Sequence, residues 1–178
     1  DRHSSPQVRN CTFADNTASS SGGAFYNSGT STGEVRNCIL WGNSPDQIHS
    51  GASAVSYSDV QGGWAGTGNL NTNPQITGTY RLKPTSPCID AGSATNSPTL
   101  DIDGEARFDD AAHSNSVSVF DIGADEYVDT DGDSMADHWE QEYFGNLARD
   151  GSGDFESDGL NDAAEYGWGA DPSSTDSD

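Results

Sequence analysis

Two groups of residues in the last third of the chain stand where a backbone wrapping a divalent cation would need them. Asp129, Asp131, Asp133, Met135, Asp137 and Glu140 fall at positions 1, 3, 5, 7, 9 and 12 of a twelve-residue window. Alternate residues of a tight loop point into one cavity. The spacing therefore offers three short carboxylates, the backbone carbonyl of Met135, Asp137 acting through water, and two oxygens of Glu140 from the start of a helix. A second window repeats the pattern with Asp154, Glu156, Asp158, Leu160, Asp162 and Glu165, and Gly159 occupies position 6, where the sharp turn wants glycine. Hard oxygen donors in this number select calcium. Ser134 stands at the glycine position of the first window, and Glu156 is longer than the Asp or Asn usual at position 3, so each site is expected to be distorted or weaker.

Charge points the same way. The chain of 178 residues carries 29 acidic and 7 basic side chains, a net charge of -22. Residues 121–178 alone hold 18 acids against one arginine, and such a segment repels itself unless a cation neutralises it. The same balance excludes a nucleic-acid partner bound through a basic surface. No stretch approaches the roughly 18–20 apolar residues of a membrane span, and no basic-then-apolar leader opens the sequence.

The elements that must hold these loops follow from apolar spacing. Met135, Trp139 and Tyr143 recur at i, i+4 and i+8, which predicts a short helix over 136–144 ended by Gly145 and packed on Leu160, Tyr166 or Trp168. The first loop has no entering helix, because the strand-like DIGADEYV runs straight into it. The segment is thus EF-hand-like but resembles dockerin or thrombospondin type 3 calcium repeats more than a paired sensor, and the resemblance implies calcium in a structural role. Asp171-Pro172 and Asp176-x-Asp178 look like the start of a third loop, so the chain reads as an excerpt.

The amino-terminal part repeats itself. VRNCTFADN at 8–16 lies over VRNCILWGN at 35–43 with an offset of 27, and a weaker copy at a further offset of 20 places Val55, Ser58 and Val60 on Val35, Cys38 and Leu40. A period of about 20–30 residues signals stacked coils of strand and turn. Phe13 and Leu40 are expected to face inward, and the recurring Asn10/Asn37 and Asn16/Asn43 to sit at bends and hydrogen-bond from coil to coil. These residues resemble right-handed parallel β-helix proteins of the pectate-lyase-like type. NPQITGTYRLKPTSPCIDAGS at 73–93, DIDGEAR at 101–107 and FDIGADEY at 120–127 resemble the end region of surface proteins grouped as choice-of-anchor Q. The expectation is a mainly β fold: a right-handed parallel β-helix solenoid over residues 1–128, with Tyr80, Leu82 and Ile89 facing its core, then a small α-helical EF-hand-like calcium module over 129–178. A β-sandwich is the competing architecture, and it leaves the 27-residue identity unexplained.

Other reactive residues carry less. Cys11 and Cys38 occupy equivalent positions in adjacent coils and are expected to be stacked thiols; Cys88 makes the count odd. His3, His49, His113 and His138 show no ligand spacing. Asn10-Cys11-Thr12 fits a glycosylation acceptor, but its asparagine belongs to the proposed ladder. Arg9 and Arg36 are the paired basic residues a polysaccharide lyase would need, and Trp41 and Trp64 are aromatics on which a sugar could stack. Carboxylates cluster only in the two loops, which favours structure over catalysis. The expected product is a non-enzymatic, extracellular or cell-surface prokaryotic protein, rigidified by calcium. No polar cap precedes Val8, so self-association through the solenoid ends is expected. The alternative is the end of a polysaccharide lyase or hydrolase, or of a carbohydrate-binding adhesin, with its working coils upstream.

Overall fold

The computed structural model describes residues 5–27, 32–49 and 54–175. His3, Asp176 and Asp178 lie outside them. Eight strands come first: β1 (Gln7–Arg9), β2 (Thr12–Ala14), β3 (Phe25–Tyr26), β4 (Glu34–Arg36), β5 (Ile39–Trp41), β6 (Ile48–His49), β7 (Ala54–Ser56) and β8 (Asp59–Val60). They form three parallel sheets in the orders β1-β4-β7, β2-β5-β8 and β3-β6. The sequence repeat is the pairing register. Val8 lies opposite Val35 and Val35 opposite Val55, while Phe13 lies opposite Leu40 and Leu40 opposite Val60.

The expected right-handed parallel β-helix solenoid is nevertheless not formed. The sheets hold two or three strands of two or three residues each, and none closes or curls on itself. Beyond Val60 only isolated bridges occur among the described residues: Leu70 lies parallel on Asp59, while Ile76 with Leu82 and Leu100 with Ala106 are antiparallel, so regular strands stop after three passes. The physical reason lies in residues 61–128, where glycine, proline and aspartate break the alternation a strand needs. Nor is the chain mainly strand, since turns, bends and irregular backbone together occupy most of the described residues.

Bends between the first two strands of each pass are made by Asn10, Asn37 and Tyr57, at φ of 45°, 50° and 50°. Asparagine tolerates this left-handed backbone better than other non-glycine residues, which accounts for the first two. The expected ladder is partial. Asn43 Oδ1 accepts from Asn16 Nδ2 at 2.9 Å, and Asn37 Nδ2 reaches Asn10 Oδ1 at 3.5 Å while bonding a later loop more closely, donating to Ser93 O at 2.8 Å and accepting from Ser93 N at 2.9 Å.

In the irregular segment, side-chain carboxylates take the place of a sheet ladder. Asp121 accepts from the backbone of Asp90 and Tyr127 at 2.7 Å each, and Asp125 accepts from Leu82 N at 2.7 Å. Buried Glu126 binds Arg107 at 2.6 Å and the amides of Phe108 and Asp121. Leu82 and Ile89 are buried as expected, whereas Tyr80, at φ 64°, is 45% exposed and does not face a core.

Strand β5 is buried on both faces and divides two apolar clusters. Leu40 joins Val35, Cys38, Ile48, Val55 and Val60. Ile39 joins Leu82, Cys88, Ile122, Tyr127, Met135, Trp139 and Tyr166. The second cluster therefore spans the boundary drawn at 128/129. Two helices complete the chain, α1 (Asp137–Tyr143) and α2 (Asp162–Trp168). The first is the helix expected over 136–144. Its Trp139 meets Tyr143, Phe144 and Tyr166 at centroid distances of 5.2, 5.3 and 5.2 Å. Trp168 is not part of this packing, being 65% exposed. Among the described residues no helix is long and apolar enough to cross a membrane.

Candidate metal centres

The two acidic loops adopt the same local fold from different sequences. In each, the carboxylate at position 1 accepts the backbone N–H of position 6. Asp129 takes it from Ser134 at 2.9 Å and Asp154 from Gly159 at 3.0 Å. The carboxylate at position 5 accepts the N–H of position 7 in both loops, Asp133 from Met135 and Asp158 from Leu160, at 2.8 Å. Position 6 has positive φ in both, 75° at Ser134 and 103° at Gly159. Such short side-chain-to-backbone bonds wind a polar segment into a turn without help from packing.

Winding brings the acids together. Ligand oxygens of Asp129, Asp131 and Asp133 lie within 4.8 Å of one another, and so do those of Asp154, Glu156 and Asp158. Position 12 closes each cluster from a helix. Glu140 on α1 is 0% exposed, and neither of its carboxylate oxygens has a hydrogen-bond partner. Burial pushes its carboxyl up to about 8, and the charges of Asp133, Asp131, Asp137 and Asp129 add to the shift. Glu165 on α2 is 1% exposed with Oε2 unpartnered, and burial together with the facing Glu156 raises it to about 7. Both oxygens of Glu156, Oδ2 of Asp133 and of Asp158, and Oδ1 of Asp162 are likewise shielded and unpartnered.

Position 9 differs between the loops. Asp137 accepts from Thr130 N and Oγ1 at 2.8 Å each, whereas Asp162 is held by Arg149, whose guanidinium stacks over Phe144 and Phe155 at 4.7 and 5.2 Å. Arg149 had no visible role in the sequence. Met135 is fully buried and Leu160 half-buried, so at position 7 the side chains serve the fold and leave the backbone carbonyl to the loop. Helix α2 is capped by Asn161, which accepts from Ala164 N at 2.9 Å, while α1 has no side-chain cap at Ala136. That unequal capping leaves the first loop more dependent on its acids for order.

Other residues singled out in the sequence fall elsewhere. Arg9 and Arg36 are both tied to Glu34, at 2.9 and 3.1 Å, and Arg36 also lies over Tyr57. Trp41 and Trp64 are partly buried, each packed against one of the two apolar clusters. Cys11, Cys38 and Cys88 are free thiols. His49 stacks on Tyr26 at 5.0 Å and His113 bonds Asp110 at 2.7 Å. Among the described residues one further acidic grouping includes a histidine: Asp103, Asp125 and His138, overlapping Asp101, Asp103 and Glu105. The alternation Asp101-x-Asp103-x-Glu105 with Gly104 was its one signal in the sequence. Neither a protein-family model, nor a curated protein, nor a solved structure matches the chain.

Proposed function

We propose that residues 129–165 bind two calcium ions and that the ions act structurally, making an otherwise self-repelling acidic segment into a rigid part of the molecule. The observation that carries this reading is Glu140, a fully buried carboxylate with no hydrogen-bond partner for either oxygen, near enough to the clustered Asp129, Asp131 and Asp133 for their charges to raise its carboxyl. A charge buried without a partner costs several kcal/mol, about 3–5 where one member of an ion pair is missing, and a divalent cation between these acids removes the cost. The second loop, which shares the bonds between positions 1 and 6 and between positions 5 and 7, supports the reading independently.

Affinities of about 0.1–1 mM, those of extracellular modules, suit a protein that works outside the cell at constant calcium, and the proposed setting is an extracellular or cell-surface assembly. Strands β1, β2 and β3 each pair on one edge only among the described residues, which supports self-association by addition of a further strand. Titration calorimetry of the whole chain should give two calcium ions per molecule. Glu140→Gln and Glu165→Gln should each remove one, and magnesium should compete poorly because it demands closer octahedral oxygens. Failure of calcium to bind, or stoichiometry unchanged in both variants, would overturn the assignment.

A further inference from the structure

The acidic grouping outside the loops has a different donor chemistry. It is built from three separate segments: Asp101, Asp103 and Glu105 from one turn, Asp125 from the stretch that enters the first loop, and His138 from α1. One ligand atom each from Asp103, Asp125 and His138 lies within 4.8 Å of the other two, and the same holds for Asp101, Asp103 and Glu105.

Buried, unpartnered atoms point into it. Asp125 is 1% exposed; its Oδ2 accepts from Leu82 N, but Oδ1 accepts no hydrogen bond and has only Arg81 Nε at 3.4 Å. His138 Nδ1 is shielded from solvent and without a hydrogen bond, 3.8 Å from Glu105 Oε2, which is shielded and without a donor as well. Arg81 engages Asp103 through Nε and Nη2 at 2.7 Å each, so one guanidinium stands against four carboxylates. Negative charge therefore remains in excess around buried Asp125, at a place that opens to solvent at Asp103, beside an imidazole nitrogen without a hydrogen bond.

An imidazole nitrogen among carboxylate oxygens is a poor calcium site, because calcium takes oxygen ligands. It suits a borderline divalent ion, zinc first, for which His and Asp are ordinary ligands at about 2.0–2.2 Å. We propose that Asp103, Asp125 and His138 form a third metal site, selective for zinc or a similar transition ion over calcium, with Glu105 able to complete a tetrahedral set. Such an ion staples the 101–105 turn, the 121–127 stretch and α1 together. It would thereby fix the orientation of the helix whose Glu140 closes the first loop.

The probe is cobalt(II), a spectroscopic substitute for zinc, added to the full chain in saturating calcium. The expected result is one cobalt per chain with visible ligand-field absorption, displaced by zinc and not by calcium. His138→Asn should weaken binding about tenfold or more, and Asp103→Asn, on the exposed rim, should weaken it without threatening the fold. In the wild-type chain, zinc should shift the imidazole NMR signals of His138 and leave those of His49 and His113 in place, a readout that holds even where His138→Asn does not fold. Cobalt displaced by millimolar calcium, cobalt binding unchanged in Asp103→Asn, or zinc leaving the His138 signals unmoved would each overturn the site. Loss of the calcium loops alone would be seen separately, in the calcium stoichiometry.

Discussion

Asp90 has a carboxylate that no described residue satisfies: it is 0% exposed, and neither oxygen accepts a hydrogen bond among the described residues. Burial pushes its carboxyl up to about 6, the charges of Asp109, Asp110 and Glu126 add to the shift, and His113 opposes it. The folded value lies above the ordinary value of 3.8, so the fold favours the protonated form. The stability linked to this proton is fully present below pH ~4 and is lost as pH rises through ~6. Asp90→Asn removes the charge, and its melting temperature should exceed that of the wild type at pH 7–8. A change of about 2–4 °C is expected for each kcal/mol recovered, with the gain vanishing towards pH 4. Thermal melts across that range read it directly, and a gain independent of pH would assign the effect to packing. The sequence showed Asp90 only as a letter in IDAGS, because a single acidic residue in a turn has no periodicity that announces burial. The clustered acids of the proposed calcium loops were legible for the opposite reason, since the spacing itself brings them together.

At the scale of elements, the loops differ most at position 6. Ser134 holds φ 75° there, a region that costs an L residue about 1–2 kcal/mol, while Gly159 holds φ 103° with open space where a Cβ would be. In a loop that orders as it binds, relief of that cost appears as affinity. Ser134→Gly should tighten the first calcium site several-fold, and Gly159→Ala should weaken the second by a similar factor, both measured by titration calorimetry. Equal affinities before and after either change would mean that the loops are already fixed without the ion. Helix α1 was legible from Met135, Trp139 and Tyr143, and the strand register from the 27-residue repeat. How many passes would stack was not legible. A repeat fixes which residues sit opposite one another, but the end of stacking depends on residues 61–128. Their backbone is satisfied by Asp121, Asp125 and Glu126, mostly across long separations that no local pattern encodes.

For the whole molecule, the two apolar clusters would make removal of the proposed calcium ions an asymmetric event. Met135, Trp139 and Tyr166 pack with Ile39, Leu82, Cys88, Ile89 and Ile122, and Tyr166 also donates to Leu82 O at 3.3 Å. The cluster of Val35, Leu40, Val55 and Val60 contains no residue of the acidic segment. Chelation leaves the acids of both loops uncompensated, with the 18 acids of residues 121–178 repelling one another. Helices of seven residues have little stability apart from their packing, so α1 and α2 should open first. Loss of Trp139 and Tyr166 then uncovers the Leu82–Ile89 side of the first cluster, while the strand cluster keeps its register. Hydrogen exchange followed by mass spectrometry, in millimolar calcium and in chelator, should show faster exchange at 82–91, 122–128 and 135–144, with 35–40 and 55–60 unchanged. Strand β5 is the decisive element, since Ile39 belongs to one cluster and Leu40 to the other. If its amides exchange with the helices, the molecule is a single cooperative unit held by calcium. If they stay protected, the acidic segment is a separately melting attachment on a stable strand core.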